Sequence, residues 1–67
     1  MHEFSTAKGI LDTILAVAKE HGAKRVAEVN LEIGPLTTLN PEQLEFSFHA
    51  LSEDTMAKNA KLNISYS

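Results

Sequence analysis

Residues 39–48, LNPEQLEFSF, hold the boundary on which the fold turns. Asn40 is a good N-cap, because its short side chain can accept a backbone N–H of the first helical turn. Pro41 follows at the first helical position, where its missing N–H does no harm. Gln43, three residues after the cap, can complete a capping box, and Leu39 and Leu44 stand at the two positions of a hydrophobic staple. Four separate signals thus place one helix start at residue 41. Behind it, Leu44, Phe48 and Leu51 form one apolar stripe. Phe46 and Ala50 lie on the other side, which predicts contact on two faces. The helix is expected to fade near residues 52–54.

Working outward, two stretches change period. Over residues 26–33, Ala27, Val29, Leu31 and Ile33 alternate with Glu28, Asn30 and Glu32, the pattern of a strand with one buried and one wet face. Gly34 and Pro35 stop it. Over residues 61–66, Leu62, Ile64 and Tyr66 alternate with Lys61, Asn63 and Ser65. The intervening residues 35–60 make a crossover long enough to join parallel strands.

Residues 4–21 read as another helix. Leu11, Ile14, Leu15 and Ala18 share one face, widened by Ile10 and Val17. Ser5 or Thr6 is placed to cap its start. Lys19 and His21 suit the negative end of the helix dipole, and Gly22 follows as a left-handed C′ residue. Gly9 interrupts the pattern and predicts close approach of another backbone. The fold class is therefore α+β, in the order α-β-α-β. Both helices are expected on one face of a small mixed sheet of two strands, or three if residues 1–3 pair. Such a sheet has an exposed edge, and unpaired edges invite another strand. A homodimer or strand swap is the expected consequence.

Composition narrows the function. Six Lys and Arg against nine Asp and Glu leave a net charge of -3, which argues against nucleic acid and anionic membrane surfaces. No apolar run approaches the roughly 18–20 residues of a membrane span. Glu3 stands where a secretory signal would carry a base, so a cytoplasmic protein is expected. At 67 residues the chain is one small domain, and with no cysteine it has neither disulfide nor thiolate zinc site to reinforce the core. No nucleophile–base arrangement is present, because Ser47 and His49 diverge on a helix; an enzyme is not expected. His21 reads as a helix-end cation and His49 as surface-exposed. Glu28 and Glu32 share the wet strand face, and Phe4, Phe46 and Phe48 read as core or interface.

The N-terminal Met1-His2-Glu3 holds the remaining chemistry. The Met1 amine, the amide nitrogens of His2 and Glu3, and the His2 imidazole can approach one plane. An all-nitrogen square-planar set favours Ni(II) or Cu(II) over Zn(II). Such binding needs a free Met1 amine and releases protons. A bulky second residue disfavours methionine removal. On the residues alone, two readings stand: a metal-binding terminus, or an exposed histidine beside a glutamate that complements the helix dipole.

The chain also shows a resemblance. MHEFS, AKGIL, HGAKRVAEVNLEIGPLT and PEQLEFSFHALSEDTMAKNAKLNI, in this order and spacing, resemble the N-terminal half of the HypA/HybF hydrogenase nickel-incorporation proteins over essentially all 67 residues. The resemblance implies a metallochaperone that binds Ni(II) at its N-terminus through Met1, His2 and Glu3. It further implies delivery toward the [NiFe]-hydrogenase large subunit with a HypB-like GTPase, and in some bacteria toward urease. Family members carry a zinc domain with two CxxC pairs after this half and return a further strand to the sheet. The chain ends at Ser67 without cysteine. The expectation is a nickel-binding domain over residues 1–67 without its zinc domain, as a natural fragment or an engineered one, with no zinc. The alternative is an interaction module, or a truncated scaffold, that docks partners through its sheet edge and delivers no metal on its own.

Overall fold

The computed structural model describes residues 2–35 and 38–67. Four elements follow one another: helix α1 (Glu3–Glu20), strand β1 (Glu28–Ile33), helix α2 (Pro41–Ser52) and strand β2 (Lys61–Tyr66). The α-β-α-β order and the placement of both helices on one sheet face agree with the sequence. The sheet has two strands, paired in parallel from Glu28 opposite Lys61 to Ile33 opposite Tyr66. No third strand forms from the N-terminus among the described residues, because Glu3 already belongs to α1.

The α2 boundary is where the sequence puts it. The Asn40 side chain accepts from the backbone N–H groups of Glu42 and Gln43, at 3.0 and 3.1 Å. Two of the N–H groups that a helix start leaves unpaired are thereby satisfied. Leu44 and Phe48 are fully buried, and Leu51 packs against the same core. The second expected contact face does not form. Phe46 is 72% exposed and Ala50 is exposed, because α1 and the sheet occupy only one side of α2.

Helix α1 starts and packs differently from its sequence pattern. Neither Ser5 nor Thr6 caps it. The chain turns into the helix at His2, whose side chain makes no cap bond. The first turn closes instead through the Thr6 N–H donating to the His2 carbonyl at 2.8 Å. Its inner face runs through Ala7, Leu11 and Ala18, with Ile10, Ile14 and Leu15 at the margin. Val17 is 51% exposed and falls outside the stripe. Gly9 has open space where a side chain would project, so no backbone approaches it.

The C-terminal end of α1 does match. Gly22 has φ +67°, a conformation that costs L side chains energy and glycine little. The Gly22 N–H donates to the Lys19 carbonyl and the Ala23 N–H to the Ala18 carbonyl, at 3.1 and 2.9 Å. This pair of bonds is the Schellman arrangement, which satisfies carbonyls the helix would leave open.

One core joins the four elements: Ala7 and Leu11 of α1, Ile33 of β1, Leu44 and Phe48 of α2, Ala57 and Ala60 of the last loop, and Leu62 of β2. The small residues let backbones pack closely, and Phe48 is the largest side chain fully removed from water. On the outer sheet face, Asn63 donates to Asn30 Oδ1 at 3.0 Å and to the Glu28 carboxylate. Glu28 is thus held by a cross-strand bond rather than merely solvated. Neither strand has a second neighbour among the described residues, so both outer edges are open.

Candidate metal centre

The sequence directs attention to Met1, His2 and Glu3. Met1 lies outside the described residues. His2 is exposed and marks the N-terminal boundary of α1, and Glu3 is its first helical residue. The amides of His2 and Glu3 fall among the first four N–H groups of a helix, which have no intrahelical acceptor. The His2 carbonyl, by contrast, is engaged twice, by the Thr6 N–H at 2.8 Å and by the Ser5 hydroxyl at 3.3 Å.

The Glu3 side chain does more than complement a helix dipole. Its Oε2 accepts the backbone N–H of Asn40 at 3.0 Å, across 37 residues of sequence. That N–H belongs to the N-cap residue of α2. A capping box would fill it with the Gln43 side chain; here a carboxylate from the other helix does so. This bond is the first cause that lowers the Glu3 carboxyl below its ordinary value, followed by a bond to Glu3's own backbone N–H. Both donors favour the charged carboxylate. Glu3 thus clamps the start of α1 to the start of α2 and leaves the neighbouring His2 ring in solvent.

The other histidines do not join this centre. His21 follows the far end of α1, an 18-residue helix, and so lies about 27 Å away at 1.5 Å per residue. Its ring Nδ1 donates to the Val17 carbonyl at 2.9 Å, which turns it back on its own helix. His49 is exposed and meets Phe48 edge-on, with ring centroids 6.0 Å apart. Among the described residues, no group of three or more His, Cys, Asp or Glu side chains could hold a metal ion.

Sequence reasoning missed one member of this centre. Asn40 was legible only as a cap, and nothing in its local pattern shows that its own N–H is taken by Glu3. The described residues contain no helix long and apolar enough to cross a membrane.

The hydrogenase/urease nickel-incorporation metallochaperone HypA family model matches residues 1–67. The chain belongs to the HypA family. The family name describes a metallochaperone, and such a protein is a maturation factor, not an enzyme. Among curated relatives, the hydrogenase maturation factor HypA of Methanopyrus kandleri is 50% identical over 64 residues, covering 96% of this chain and 45% of that protein. The proteins of the same name from Methanosarcina barkeri and Methanococcus vannielii are 47% and 52% identical, covering 92% and 94% of this chain. The matches cover 47% and 55% of those two proteins. The chain spans about half the length of the curated relatives it matches.

Proposed function

We propose that residues 1–67 are the nickel-binding domain of a HypA-type metallochaperone, with Ni(II) as cargo. The Met1 amine, the His2 and Glu3 amides and the His2 imidazole form the ligand set. The observation that carries this reading is the uncapped start of α1. The His2 side chain makes no cap bond and is exposed, and Glu3 anchors the turn through its side chain.

The electrostatics suit the proposal. A helix N-terminus carries a partial positive charge, which disfavours a bare cation and favours anions. Two deprotonated amides carry two negative charges and cancel the charge of Ni(II). The dipole then stabilises the amidates. Amide deprotonation makes binding steeply pH-dependent, with affinity rising as pH rises. The planar nitrogen set selects against Zn(II), and the absence of cysteine removes a thiolate zinc site from these 67 residues. Copper outranks nickel in such a set, so selectivity rests on supply and delivery. Delivery to the [NiFe]-hydrogenase large subunit, or to urease, with a HypB-like GTPase, in the cytoplasm, completes the reading. It is supported by membership of a family described by nickel incorporation into hydrogenase and urease.

The test is a spectroscopic Ni(II) titration with the Met1 amine free and then blocked. A yellow d–d band at one equivalent is expected with the free amine only, and His2→Ala should abolish it. Equal nickel affinity in His2→Ala would overturn the site assignment.

One observation favours a second reading, an interaction module that assembles with itself. Beside the open edge of β1 runs a groove of about 450 Å³, lined by Ile10 and Ile14 of α1 and by Val29 and Leu31 of β1. A strand from a second copy would pair its backbone with β1 and cover these apolar side chains. Light scattering at micromolar concentration should show a dimer, and monomer alone would reject this reading.

A further inference from the structure

We propose that the cleft between residues 24–27 and 55–59 docks an acidic segment of a partner protein, through Lys24, Arg25 and Lys58. The proposal is independent of nickel binding.

The cleft measures about 460 Å³. Lys24 and Arg25 stand on one wall and Lys58 on the other, all three exposed. They are half of the six cations of a chain whose net charge is -3. No carboxylate lines the cleft among the described residues. Lys24 and Arg25 make no ion pair among those residues, and Lys58 reaches only Glu53, at 4.0 Å. An acidic molecule has here gathered three cations, of which only Lys58 has a carboxylate partner among the described residues. Such a patch steers and orients a negative partner.

The walls are built rather than loose. The Val26 N–H donates to the Met56 carbonyl at 2.8 Å, and the Lys61 N–H donates to the Ala27 carbonyl at 2.9 Å. These bonds tie the two loops together where the strands begin. Between the cations, Val26 and Met56 supply an apolar surface, and the flexible thioether adapts to different neighbours. Cations flanking an apolar patch match a peptide that carries carboxylates around an apolar residue. A small phosphate ligand fits less well. In open α/β sheets such ligands sit beyond the carboxyl ends of strands, and this cleft lies at the amino ends. The cleft adjoins the C-terminal end of α1, so a partner held there leaves His2, about 27 Å away along the helix, uncovered.

The experiment is fluorescence anisotropy at low salt with the full chain and a labelled peptide in which Glu and Asp runs flank a single Leu. Saturable binding that weakens with ionic strength is expected. Arg25→Glu should weaken it by about tenfold, whereas Lys8→Glu, an equal charge change on α1, should alter it less than about twofold. Circular dichroism should report an unchanged fold in both, since both residues are exposed. Equal weakening by Lys8→Glu, or no saturable binding, would overturn the proposal. Displacement of the peptide by inorganic phosphate at matched ionic strength would also overturn it, in favour of a small-anion site.

Discussion

The two helix starts of this protein solve one problem in opposite ways. At α2, Pro41 has no N–H to satisfy, and the Asn40 side chain satisfies those of Glu42 and Gln43. At α1, His2 offers no side-chain cap, and the turn is held by a bond from Glu3 to the other helix. The closed start has no amide to spare. At the open start the Glu3 carboxylate takes its own N–H as well as that of Asn40, and the exposed His2 ring takes no part. Local under-capping costs helix stability, usually about 1 kcal/mol. The anchor that offsets it comes from outside the helix.

That contrast can be broken most completely by making the first start resemble the second. His2→Asn supplies a cap and removes the imidazole. The Ni(II) absorption band should vanish, while thermal unfolding moves up by roughly 4–8 °C for each kcal/mol the cap contributes. A variant that keeps the band would show that the open start is not the site.

Next in size is Phe48→Ala, which empties the footing shared by both starts. A fully buried phenylalanine truncated in a core typically costs about 3–5 kcal/mol, comparable to the whole stability of a domain this small. Denaturant unfolding should show little folded protein without added stabiliser. Phe46→Ala on the same helix should fall within about 0.5 kcal/mol of the parent, because Phe46 stands in solvent.

Asn40→Ala should cost about 0.5–2 kcal/mol in the same assay. It leaves the Asn40 backbone N–H in place, so the Glu3 bond survives and the nickel band should persist. Loss of the band with the cap would mean that the two starts are less separable than the geometry indicates.

The smallest effect is electrostatic. The Glu3 carboxyl titrates below its ordinary value in the folded chain, first because of the Asn40 N–H. A depressed carboxyl stabilises the fold above its unfolded pKa and loses that contribution as pH falls through the folded one. The parent should therefore lose slightly more stability on acidification below the ordinary glutamate range than Glu3→Gln does. Parallel pH–stability curves for the two proteins would count against the clamp.

Much of this molecule was legible in its residues because the determining interactions are short-range. The α2 start and the Gly22 turn depend on partners within a few positions, and each appears where expected; the strands are read from their alternation, and β1 begins at Glu28, two residues later than expected. The failures share a different cause. Val17 and Phe46 are apolar residues at plausible positions that no other element happens to cover. Gly9 met no second backbone. The third strand gave way to a helix that begins earlier than its first hydroxyl residues indicate. In each case the outcome depends on what lies opposite, which periodicity does not record.

The sequence by itself determined the order of elements, the alternation along the strands and the family. These follow from local propensity, period and residue chemistry. The tertiary structure alone decided that Glu3 closes the open N–H of Asn40 across 37 residues. It also decided that Lys24, Arg25 and Lys58 line one cleft. Both arrangements arise when packing brings distant segments together, and the energy of those contacts does not exist until the core around Phe48 has formed.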